Sequence, residues 1–96
     1  MTTCRIAPLA TADLDEIWDY VAGDSPSVAD RLLDALRERF LLLATHPLLG
    51  ELRPELGDNL RSFSAGQHVI YYQVIRGRVR VARVLHGSRD VTGLVY

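Results

Sequence analysis

Ninety-six residues, 48% of them hydrophobic, describe a single domain (residues 1–96) able to bury a core of modest depth. The one cysteine, Cys4, excludes an intramolecular disulfide and a cysteine-based metal cluster, and no apolar run approaches the roughly 20 residues of a membrane span. The formal net charge is −1, but residues 1–58 hold eleven acids and five arginines while residues 59–96 hold six arginines and one acid. No lysine is present, so every cation is a guanidinium suited to bidentate contact with carboxylate or phosphate. Met1 to Ala10 lacks the pattern of a signal peptide, and a soluble cytoplasmic protein is expected.

In chain order, Cys4 to Ala7 reads as a short edge strand stopped by Pro8. Thr11 is placed as the N-cap of a helix, with Asp13, Asp15 and Glu16 in its first turn, where the helix dipole favours acids. Leu14, Ile17, Trp18 and Val21 form its apolar face, and it ends near Gly23. Ser25-Pro26 opens a second helix that runs from Pro26 to Thr45 and stops before His46-Pro47. So short a linker folds the two helices back as an antiparallel hairpin.

Leu32, Leu33, Leu36, Phe40 and Leu43 make the core stripe of the second helix. Leu41, Leu42 and Ala44 then leave its last turns apolar nearly all round, as in a helix that is sandwiched or that binds a partner. Leu48 to Asp58 reads as a loop, and Leu60 to Phe63 as a strand turned by Ser64-Ala65-Gly66-Gln67. The last third is a hairpin, His68 to Ile75 and Arg78 to His86, joined at Arg76-Gly77. Strict alternation puts Ile70, Tyr72, Val74, Val79, Val81 and Leu85 toward the helices with Arg83. Val69, Tyr71, Gln73, Arg80, Ala82, Val84 and His86 then fall on the other face. An arginine in the apolar row needs a partner, and Asp13 or Asp90 could supply it.

No phosphate loop, dinucleotide fingerprint or zinc spacing occurs, and His46, His68 and His86 are dispersed, so neither a metal nor a cofactor is expected. Arg83-Val84-Leu85-His86-Gly87-Ser88-Arg89-Asp90 concentrates an imidazole and two guanidiniums at a strand end. His86 could serve as a general acid or base with Arg89 holding an anion. In the plainer reading, His86 and Asp90 hydrogen-bond each other as a local cap.

Four segments in this order resemble the ParE/RelE superfamily of bacterial toxins, and the ParE branch in particular. They are Ala12-Asp13-Leu14-Asp15-Glu16-Ile17-Trp18, His46-Pro47 through Gly50, Asn59-Leu60-Arg61-Ser62-Phe63 leading to Val69-Ile70-Tyr71-Tyr72, and Arg83 through Asp90. The resemblance implies an α+β fold, β-α-α-β-β-β, with a helical hairpin packed on a small, mainly antiparallel sheet. It also implies a type II toxin of the kind linked to plasmid stabilisation and growth inhibition. Such a toxin stabilises the cleaved-DNA complex of DNA gyrase without being an enzyme, and a ParD-like antitoxin neutralises it.

The RelE branch instead cuts messenger RNA on the ribosome. Val69 stands where those nucleases carry an arginine, and only Arg61 replaces the basic groups of their second strand; Arg89 and Tyr96 do fall near RelE-like positions. A ribosome-dependent endonuclease is thus the alternative, and a degenerate toxin that only binds an antitoxin is a third. On the gyrase reading Arg61, Arg83, His86 and Arg89 face the target. Trp18, Leu33, Leu36, Phe40 and Leu41 anchor the antitoxin, and Arg76, Arg78 and Arg80 suit its acidic tail. No direct sequence-specific nucleic-acid binding and no membrane contact are expected.

Overall fold

The computed structural model describes residues 4–93. Its elements run β1 (Cys4–Ile6), α1 (Pro8–Ala22), α2 (Pro26–Thr45), β2 (Glu51–Leu52), β3 (Leu60–Ala65), β4 (His68–Ile75) and β5 (Arg78–His86). The helices pack as a hairpin on one face of a five-stranded sheet of order β1-β5-β4-β3-β2, in which only the β1–β5 pair is parallel. This is the expected α+β architecture with one strand added. β2 lies inside the segment read as a loop, and its two residues pair Glu51 with Ser62 and Leu52 with Arg61.

Pro8 ends the first strand and also begins the first helix, whose opening turn tolerates a missing N–H. The Ala7 carbonyl accepts the Thr11 N–H at 3.0 Å, so Thr11 sits within α1 and does not cap it. Asp13, Asp15 and Glu16 consequently lie beyond the first turn, and the dipole argument for them fails. The second helix keeps its expected bounds. Ser25 Oγ accepts the Val28 N–H at 3.3 Å, and Pro26 takes the first helical position.

The β4–β5 hairpin also has the expected limits, and both turn residues, Arg76 (φ 53°) and Gly77 (φ 76°), take the positive φ of a type I′ turn. Its facing pattern differs from strict alternation. Tyr72 lies opposite Val81 and Tyr71 opposite Arg83, which leaves Ala82 as an extra residue in β5. A bulge of this kind reverses which face later side chains take. Val84, expected outside, joins Leu14, Leu33, Leu36, Phe40, Ile70 and Tyr72 beneath the helices. Leu85, expected beneath them, joins Leu60, Tyr71 and Ala82 in a second cluster on the far face, with Leu56 and Val91 packed against it.

Candidate functional site

Arg83 is bound to Asp13 across 70 positions of sequence. Its Nε donates to Oδ2 at 2.7 Å and Nη2 to Oδ1 at 2.9 Å, while the Val84 N–H donates to Oδ2 at 3.0 Å. The Asp13 side chain is 5% exposed and that of Arg83 12%, so this is a buried, bidentate pair that ties α1 to β5. Donating to the Asp13 carboxylate holds the guanidinium pKa above its ordinary value. Of the two acids that could meet Arg83, the fold uses Asp13. Arg83, expected to face a target, is committed to the interior.

Arg61 is similarly engaged. Its Nη1 donates to the Gly50 carbonyl at 2.8 Å and to that of Leu48 at 3.4 Å. Beside it the fully buried Tyr72 hydroxyl accepts the Gly50 N–H and donates to the Pro47 carbonyl, each at 2.8 Å. Burial raises the phenol pKa, so the hydroxyl keeps its proton for Pro47. A Cβ on Gly50 would stand 2.5 Å from that hydroxyl and 2.8 Å from the Ser62 carbonyl, so only glycine fits there. The motif from His46-Pro47 to Gly50 is thus the turn that this latch holds, a role the segment itself does not reveal. A tyrosine in an apolar row of a buried strand was its only signal.

At the far end of the sheet His86 Nδ1 meets Ser88 Oγ at 2.7 Å and accepts the Ser88 N–H at 3.1 Å. The local cap exists, but Ser88 forms it where Asp90 was expected, and Asp90 instead accepts the Thr92 N–H at 3.0 Å. That bond holds the Asp90 carboxyl below its usual pKa. His86 also faces His68 edge-on, ring centroids 5.7 Å apart. Burial, and then the nearby His86, lower the His68 pKa, and its Nδ1 is buried without a hydrogen-bond partner.

The four target-facing candidates are therefore not assembled. Arg61 lies opposite Tyr72 and His86 opposite His68, four positions away along β4 or about 13 Å. Arg89 is exposed, and its N–H donates to the His86 carbonyl at 3.0 Å. Tyr96 lies outside the described residues.

The antitoxin-facing candidates divide in the same way. Leu33, Leu36 and Phe40 are buried core residues, held by β-strand side chains of the same chain, which corrects the expectation that they anchor a partner. Trp18 and Leu41 do reach the surface, Leu41 with 66% of its area. The Trp18 indole donates to Asp30 on α2 at 2.9 Å, beside a groove of about 480 Å³ between the helices lined by Ile6, Leu14 and Leu33 among others. Leu48 (70% exposed), Leu49 and Leu52 extend the exposed apolar residues past the end of α2, in the segment expected to be a loop. Arg76, Arg78 and Arg80 come together at the tip of the β4–β5 hairpin, where Arg5 joins them.

Among the described residues no group of three or more metal-ligating side chains occurs, and no helix is long and apolar enough to cross a membrane. The helical hairpin on its five-stranded sheet makes a small α+β domain with the architecture expected of the ParE/RelE type. The family model described as the ParE toxin of the type II toxin-antitoxin system parDE matches residues 4–91. The chain belongs to that family, and is a toxin of a type II toxin-antitoxin system.

It is 34% identical to Toxin ParE1 of Mycobacterium tuberculosis over 88 residues, 90% of each chain. It is 32% identical to Toxin RelE3 of Caulobacter vibrioides over 90 residues, 90% of this chain and 95% of that one. Its fold matches a structure of the chromosomal ParDE system of P. aeruginosa with a TM-score of 0.75 at 22% identity, covering 90% of this chain and 96% of that one.

Proposed function

We propose that this toxin acts in the cytoplasm by binding rather than by catalysis, stabilising the cleaved-DNA complex of DNA gyrase, and that a ParD-like antitoxin neutralises it. The observation that carries the reading is the ParE family match over residues 4–91. Binding is favoured over catalysis because the groups a phosphodiester-cutting site needs are occupied: Arg83 by Asp13, Arg61 by main-chain carbonyls and His86 by Ser88. For the antitoxin, Trp18, Leu41, Leu48 and Leu49 offer exposed apolar anchors, and the outer edge of β1 can accept an added strand.

A second reading, a ribosome-dependent endoribonuclease, draws on the likeness to Toxin RelE3 and on the exposed Arg89. Induction of the chain in a host carrying both a DNA-damage reporter and a translation reporter separates the two. The gyrase reading expects DNA-damage induction and, with purified gyrase, a rise in cleaved DNA. No rise sinks that reading. Codon-positioned cuts in ribosome-bound message establish the nuclease, and neither effect beside a tight antitoxin complex identifies a toxin that only binds.

A further inference from the structure

The hairpin tip carries arginines that the interior does not use. Arg5 on β1 lies beside Arg80 on β5 in register, and Arg78 is two residues before Arg80. Val79, Val81 and Cys4 pack toward the helices, so alternation turns Arg5, Arg78 and Arg80 to the opposite, open face. Arg76 joins them, and together they line a groove of about 560 Å³ with no acidic residue in its wall. Arg80 Nη1 reaches Gln73 Oε1 at 3.4 Å, while Arg5, Arg76 and Arg78 are exposed. The left-handed backbone at Arg76 (φ 53°) is a conformation a long side chain adopts at a cost and asparagine more readily, so the tip carries a cation where structure alone favours another residue.

We infer that this arginine groove binds the phosphate backbone of nucleic acid, independently of sequence. Side chains two apart on a strand stand about 6.6 Å from each other. That suits a ligand with negative charges at short, regular intervals, which each guanidinium can grip bidentately. The guanidiniums project from the open face, where strand backbone offers no free donors, so a polyanion lying across β1 and β5 is held by charge and not by strand addition. The acids of the sequence lie mainly on the helices, so the long-range field turns the arginine side toward a polyanion.

The test is fluorescence anisotropy of a labelled 20-base-pair duplex with the full-length chain, freed of any partner, between 50 and 200 mM salt. Three to four phosphate contacts give a log–log salt slope of about −3, a loss of roughly 60-fold in affinity across that range. R78Q and R76N should each bring the slope about 1 closer to zero. R39Q, an exposed arginine on α2, should leave it unchanged. Circular dichroism confirms that each variant is folded. No salt-dependent binding, or an equal effect of R39Q, overturns the inference. Tighter binding of a polyglutamate peptide than of the duplex also overturns it and makes the groove a site for an acidic protein segment. Gyrase takes no part in this assay, so its result is independent of the proposed function.

Discussion

Two sets of arginines occupy the same sheet and do opposite things. Arg61 and Arg83 point to groups of their own chain, a pair of carbonyls and the Asp13 carboxylate, and are held there. Arg5, Arg76 and Arg78 stand around a groove walled by no acid. Residue type is identical in the two sets; what differs is whether another element brings an acceptor within reach. A cation count along the sequence therefore overstates the charge offered to a partner, and the surface to examine is the hairpin tip rather than the strand end after β5.

The comparison breaks most sharply at Asp13. D13A removes the carboxylate that accepts two hydrogen bonds from Arg83 and one from the Val84 N–H, and should cost about 3–5 kcal/mol in denaturant unfolding. A loss under about 1 kcal/mol would mean that Arg83 is no more committed than Arg78. Next comes the latch: Y72F removes two hydrogen bonds and strands the Gly50 N–H and the Pro47 carbonyl, an expected loss of about 1–3 kcal/mol by the same measurement.

A smaller effect depends on pH. The folded-state pKa of His68 lies below its unfolded value near 6.5, so the unfolded chain takes up the proton first. Stability from the neutral ring is complete above pH 6.5 and falls as pH drops through 6.5 toward the lower, folded value. H68Q should flatten that part of a plot of stability against pH, and an unchanged slope would refute the assignment. The smallest effect has the opposite sign. R76N relieves the left-handed strain at the hairpin tip and should raise stability by about 0.5–1 kcal/mol, even as it weakens duplex binding.

The sequence showed where elements end more readily than where side chains point. Ser25-Pro26 and His46-Pro47 bracket α2, and Arg76-Gly77 fixes the hairpin, because caps, prolines and positive φ act within a few residues. At Pro8 two local rules competed. A strand breaker is also a good first helical residue, and the second role moved the start of α1 ahead of Thr11. The bulge at Ala82 left no local trace, since the extra residue is defined by its opposite strand, and so the facings of Val84 and Leu85 came out reversed.

The site was legible in part. Asp13 stood among the possible partners of Arg83, but burial decided between it and Asp90. Burial also moved Leu33, Leu36 and Phe40 from partner anchors to core. The exposure of Leu48 and Leu49 depends on the turn that Tyr72 and Arg61 hold, and spacing along the chain does not reveal it.

The place of β5 has a consequence for the order of synthesis. Among the described residues it is the last strand made, yet it lies between β4 and the first strand, β1, and it carries the partner of Asp13. A nascent chain that has not reached Arg78 can form its helices and the β3–β4 hairpin, but β1 has no neighbour and Asp13 no guanidinium. Closing so long a loop waits on the final strand. Synthesis that stops before β5 leaves the fold unfinished, because only β5 lets the sheet close on β1 and brings Arg83 to Asp13.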